Sequence, residues 1–166
     1  MKREAKRILG INPGTRYLRL AVFHDTELLD WRVKTFRGKW SKKKEKRILE
    51  IITEQIELYD INGLAIKKLY PSRGSKNLKL LVSRIKALAK RNRIMVQSFS
   101  INQLERYYLS DEKPNRRNLA EKIVSEYPVL VHELEKEKSH ENSYHLRMFE
   151  AVALGMMVKN HQYSAL

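Results

Sequence analysis

The chain has 166 residues, with 34 Lys and Arg against 19 Asp and Glu and a formal net charge of +15. That length suits one domain over residues 1–166 with a real core, and the ordinary apolar share argues against disorder. Cysteine is absent, which excludes disulfides and thiolate metal sites.

No apolar run approaches the ~20 residues of a membrane span, and no signal-peptide core follows Met1. A cytoplasmic protein without a membrane partner is expected. A basic excess spread over a whole domain points to a polyanion, nucleic acid above all.

Ile8 to Ile11 is an apolar run of strand length, ended by Asn12 and the turn pair Pro13-Gly14. Leu18, Leu20 and Val22 alternate with Arg19 and Ala21, which predicts a second strand with one buried face. His24 to Glu27 reads as a turn and Leu28 to Phe36 as a third strand. The N-terminus is thus expected to be an antiparallel meander, with Asn12 presented at its edge.

A basic block follows, with Lys34, Arg37, Lys39, Lys42, Lys43, Lys44, Lys46 and Arg47, and Trp31, Phe36 and Trp40 lie within or beside it. Cations interleaved with aromatics can track phosphates and stack bases; equally, the aromatics can pack the join of strand and helix. Ser41 is the expected N-cap of a helix whose face is Ile48, Leu49, Ile51, Ile52 and Ile56, ending near Tyr59.

Gly63 to Tyr70 is the predicted fourth strand. Ser75 caps the next helix, whose stripe is Leu78, Leu81, Val82, Ile85, Leu88 and Ala89, with Lys76, Lys79, Arg84 and Lys86 around the rest. Ile94 to Phe99 reads as a fifth strand, and Ser100 with Gln103 as a capping box opening a helix to Tyr108. Asn115 to Glu126 is a predicted helix with Leu119, Ile123 and Val124 facing in and Arg116, Arg117 and Lys122 facing out. Tyr127-Pro128 stops it. Glu133 to Asn142, dense in charge, is expected to be mobile. Tyr144 to Lys159 is the last helix, with Leu146, Phe149, Val152, Ala153 and Met156 at helical spacing. The fold class is α/β: three antiparallel strands, then alternating helices and strands in a mixed sheet flanked by helices.

Three segments carry a resemblance. Ile8-Leu-Gly-Ile-Asn-Pro-Gly-Thr15, Ile66-Lys-Lys-Leu-Tyr-Pro with the helix after it, and Arg147-Met-Phe-Glu-Ala-Val-Ala-Leu154 together resemble RuvC-type Holliday-junction resolvases, of the RNase H-like superfamily. The resemblance implies a structure-selective endonuclease acting on branched DNA, a homodimer built partly on the Ser75–Arg91 helix, and a site for catalytic magnesium. The family's acids fall on Asn12, Lys67, Arg147 and Glu150, so three of the four carboxylates are replaced.

Magnesium takes hard oxygen ligands, whereas ammonium and guanidinium groups have donors only. At an effective dielectric of ~20, a unit-charge contact at ~4 Å is worth roughly 4 kcal/mol. Lys67 and Arg147 therefore oppose divalent ions, and no metal or other cofactor is expected; Glu150 is the ligand, and magnesium the ion, if the chain is active. An ion pair of Lys67 or Arg147 with Glu150 would satisfy the charges where metals once sat, and such a pair could also neutralise a phosphate.

A different register would recruit Asp25, Glu27, Asp30, Glu133, Glu135 or Glu141. His140 and His145 are one residue too far apart for a His-Glu-x-x-His zinc motif, since five residues set the rings about 140° apart around a helix; His145 can instead contact phosphate.

The sequence therefore predicts a protein of this fold that binds branched or distorted DNA, with Arg37, Lys39, Lys42, Lys43, Lys44, Arg47, Arg73, Lys76, Lys79, Arg84 and Lys86 as phosphate contacts and with cleavage lost or impaired. An active junction endonuclease and a basic RNA- or ribosome-associated protein are the alternatives.

Overall fold

The computed structural model describes residues 4–70, 74–139 and 146–164. Its strands are β1 (Arg7–Asn12), β2 (Tyr17–His24), β3 (Glu27–Thr35), β4 (Gly63–Lys67) and β5 (Met95–Phe99). Its helices are α1 (Lys42–Leu58), α2 (Lys76–Arg91), α3 (Ile101–Tyr108), α4 (Arg116–Glu126), α5 (Val131–Ser139) and α6 (Leu146–Ser164), with a 3₁₀ turn over Pro128–Leu130. The sheet order is β3-β2-β1-β4-β5. The first three strands are antiparallel, while β4 runs parallel to β1 and β5 parallel to β4.

Period-two alternation sorts the strands onto two cores. Leu9, Ile11, Leu18, Leu20, Val22, Leu64 and Ile66 face α1 and α2. Ile8, Ala21, Phe23 and Ala65 face the layer that contains α6. The expected half-exposed β2 is instead buried on both faces, because helices cover each side of the sheet; Arg19 is only 3% exposed.

The helix starts follow the expected caps. The backbone N–H groups of Lys44, Leu78 and Asn118 donate to the side chains of Ser41, Ser75 and Asn115, and the Ser100–Gln103 capping box is closed in both directions. Trp31, Phe36 and Trp40 are partly buried against the two cores, so they do pack the strand–helix join.

Three expectations change. β4 ends at Lys67 rather than Tyr70: its neighbour β5 stops at Phe99, where Ser100 begins α3, and the last ladder bond runs from Lys68 N–H to the Phe99 carbonyl at 2.8 Å. The charged segment expected to be mobile is helical over Val131–Ser139, with Leu134 buried and Glu133 3.6 Å from Lys136 at i,i+3; the segment's end, 140–142, lies outside the described residues.

Finally, α6 is buried around its whole circumference from Met148 to Val158, not along one stripe. It is wedged between the sheet and α3–α4. Gly10 and Gly155 make this possible: a Cβ on Gly10 would meet the Ala151 carbonyl oxygen, and one on Gly155 the Phe23 ring. No helix among the described residues is long and apolar enough to cross a membrane.

Candidate functional site

Alternation also fixes where the polar strand ends point. Asn12, Arg19 and Lys67 share the parity of Gly10, Ala21 and Ala65, so all three face α6. Asn12 is the register partner of Arg19, and Lys67 lies one residue beyond the Ile11–Ile66 pair of the parallel ladder. The first turns of α6 bring Arg147 and Glu150 onto the same spot. All four residues at the resemblance's acid positions are thus gathered, from segments more than 50 residues apart.

Glu150 is the centre. It is 0% exposed. Its Oε2 accepts from Asn12 Nδ2 at 2.6 Å and from Lys67 Nζ at 3.0 Å. The same Asn12 amide donates to the Arg147 carbonyl at 3.1 Å. Arg116 Nε stands 3.4 Å from Oε1, within ion-pair distance but outside hydrogen-bond geometry, so Oε1 has no hydrogen-bond partner among the described residues.

Three members of this cluster escape the sequence reading. Arg19 was expected on the open face of β2; it is buried, and burial together with Arg147 pushes its pKa down to about 10, against the pull of Glu150 and Tyr17. Six residues, not a two-residue Pro13-Gly14 turn, separate it from its register partner Asn12, so counting across that turn does not reveal the pairing. Arg116, expected to face out, opens α4 beside Glu150. Glu105 on α3 is close enough that burial, then Glu150, raises its pKa, with Arg116 and Lys67 opposing. No sequence signal marks Arg116 or Glu105, because only the packing of α3 and α4 onto α6 brings them in.

The acids of the alternative register lie elsewhere. Asp25 accepts from Lys6 N–H, Asp30 pairs with Arg32 and accepts from the Tyr59 hydroxyl, and Glu133 and Glu135 serve α5. Glu141, His140 and His145 are outside the described residues.

The basic surface is next to this site. Arg37, Lys39 and Lys44 line an open groove of about 1120 Å³ with Arg16, Tyr17, Trp40 and the start of α2. Tyr17 joins groove and site, with Arg16 5.6 Å and Arg19 5.4 Å from its ring centroid. Lys42, Lys43, Lys76, Lys79 and Lys86 are exposed on α1 and α2.

Two of the expected phosphate contacts are tied to carboxylates. Arg84 pairs with buried Glu45 of α1, and Arg47 lies 3.6 Å from Glu50 and 3.7 Å from Glu54. Arg73 is outside the described residues.

No family model and no curated protein matches the sequence. Solved structures do. Thermus thermophilus RuvC superposes with a TM-score of 0.71 at 14% identity, over 95% of this chain and 96% of that one. The fold is that of the RuvC-like resolvases. T. thermophilus RuvC in complex with a Holliday junction matches at TM-score 0.66 and 15% identity, over 90% of each chain. The Fowlpox virus resolvase with its Holliday-junction substrate matches at 0.58 and 13%, over 94% of this chain and 98% of that one.

The RuvC-like resemblance implies magnesium at the gathered positions, and the donor set does not fit it. Glu150 has one oxygen already engaged by an amide and an ammonium, and Glu105 is the one other carboxylate beside it among the described residues. Lys67, Arg147, Arg116 and Arg19 present no lone pair. Among the described residues, no three His, Asp or Glu side chains gather to hold a metal ion.

Proposed function

We propose that this RuvC-fold protein binds branched or distorted DNA and does not cut it. The observation that carries the reading is the Lys67–Glu150 pair at 3.0 Å: an ammonium occupies the place beside the glutamate where the resemblance implies a divalent cation. The net charge of +15 and the basic groove beside the site supply the electrostatic attraction. The solved relatives seated on Holliday junctions make a four-way junction the natural ligand. Its two-fold symmetry favours a homodimer, built in part on α2, where Leu80 is exposed.

One observation favours the active alternative: Glu105 places a second carboxylate near Glu150. The deciding experiment is an assay at protein excess on four-way junctions, flaps and RNA–DNA hybrids with Mg²⁺ or Mn²⁺, with Glu150→Gln alongside and structured RNA as competitor. Tight junction binding without cleavage is expected. Cleavage by the wild type that Glu150→Gln abolishes establishes the endonuclease instead, and preference for structured RNA over junctions establishes the RNA reading.

A further inference from the structure

Among the described residues, the cluster around Glu150 holds more positive charge than its carboxylates offset. Lys67 and Arg116 pair with Glu150 and act on Glu105, and Arg19 lies within electrostatic reach of Glu150, Arg116 and Arg147. Arg19 is 3% exposed, and its Nε has no hydrogen-bond partner among the described residues. A buried guanidinium with an unused donor beside a second arginine is costly unless an anion completes its surroundings. Glu150 does not do so: its Oε2 is shared by Asn12 and Lys67, and its Oε1 lies 3.4 Å from Arg116 and takes no hydrogen bond from Arg19. The lowered pKa of Arg19, from burial and from Arg147, agrees with an uncompensated cation. The N-terminal turn of α4 opens here, with Arg116 as its first residue, and adds positive potential. The site is reachable: the side chains of Arg116 and Lys67 are 40% and 17% exposed.

We propose that this end of the sheet is a metal-independent phosphate site, in which Arg116, Arg147 and Lys67 take the oxygens of a phosphate group, Arg19 supplies charge from beneath, and Glu150 holds Lys67 in place. Guanidinium forks match the geometry of phosphate oxygens. The proposal deepens the DNA-binding reading and rests on it only for the source of the phosphate, which is either the DNA backbone or a free phosphate group.

The test has two arms, both in EDTA. In the first, inorganic phosphate is titrated against chloride at matched ionic strength and followed by thermal shift and ³¹P line broadening. In the second, a labelled four-way junction is titrated by fluorescence anisotropy.

Arg116→Gln and Arg147→Gln are each expected to weaken phosphate binding at least ~5-fold and, where the source is DNA, to lower the log–log salt slope by about one. Arg117→Gln, which removes the same charge from an exposed neighbour on α4, is expected to leave phosphate affinity within ~2-fold. Arg116 is partly exposed, so its variant should fold and decides the question even if Arg147→Gln does not.

Loss in both arms assigns the site to backbone phosphate. Loss in the phosphate arm alone assigns it to a free phosphate group, and loss in the junction arm alone to the phosphodiester. No loss in either arm, or binding that requires a divalent ion, overturns the proposal. A wild type that ignores DNA but binds phosphate sinks the DNA-binding reading and leaves this site standing.

Discussion

Lys67 Nζ lies 3.0 Å from Glu150 Oε2, joining the end of β4 to the first turns of α6. The carboxylate is fully buried and the lysine side chain is 17% exposed. Breaking a buried pair from one side strands the other charge, at roughly 3–5 kcal/mol when both are dry. Lys67 keeps some contact with water, so Lys67→Met is expected to cost about 2–3 kcal/mol. A double-mutant cycle with Glu150→Gln should show a coupling of about 1–3 kcal/mol in urea unfolding. Additive losses would mean the pair contributes nothing beyond its separate parts.

Arg84 and Lys86 sit two residues apart on α2 with the same formal charge, and the structure separates their roles. Arg84 neutralises Glu45, which is buried on α1. Arg84→Met is expected to lower stability by about 1–3 kcal/mol. Lys86 is exposed. Lys86→Met should stay within ~0.5 kcal/mol in stability while lowering the salt slope of junction binding by about one. Equal effects of the two variants on the salt slope would return Arg84 to the phosphate contacts.

Junction affinity itself should fall steeply with salt. With ~6 phosphate contacts, about a thousandfold is lost between 50 and 200 mM. A flat titration removes the electrostatic basis for nucleic-acid binding.

Gly10 sets the distance between β1 and α6. A methyl group there would press on the backbone carbonyl of Ala151, which cannot swing aside as a side chain can. Gly10→Ala is expected to destabilise by about 1–3 kcal/mol or to displace α6. Because α6 carries Arg147 and Glu150, junction or phosphate binding should drop with it. Unchanged stability and binding would show that the helix has room to retreat.

Glu105 gives a pH-dependent signature. Burial first, and Glu150 second, raise its pKa above the ordinary 4.5. A carboxyl raised in the folded state favours folding below its unfolded pKa, and that contribution is lost as pH rises through the folded value. Glu105→Gln should therefore be more stable than the wild type at pH 7, with the advantage shrinking at pH 4. Urea midpoints at the two pH values measure this; a variant less stable at pH 7 would show that Arg116 and Lys67 outweigh burial.

Local rules made most of the elements legible. Alternation and punctuation marked the N-terminal meander, serines marked three helix starts, and the motifs around Asn12, Lys67 and Glu150 pointed to the right fold. Which of these side chains can offer a metal a lone pair could also be read directly, because residue identity alone decides it.

Burial and partnership were decided by tertiary structure. Arg19 alternates in β2 like a solvent-facing residue until α6 covers that face. Arg84 looks like its lysine neighbours until α1 brings Glu45 against it. Arg116 and Glu105 carry no mark in the sequence, since they reach Glu150 through the packing of α3 and α4 on α6. A charge's worth depends on the dielectric and on the partners around it, and these are set by segments far away along the chain.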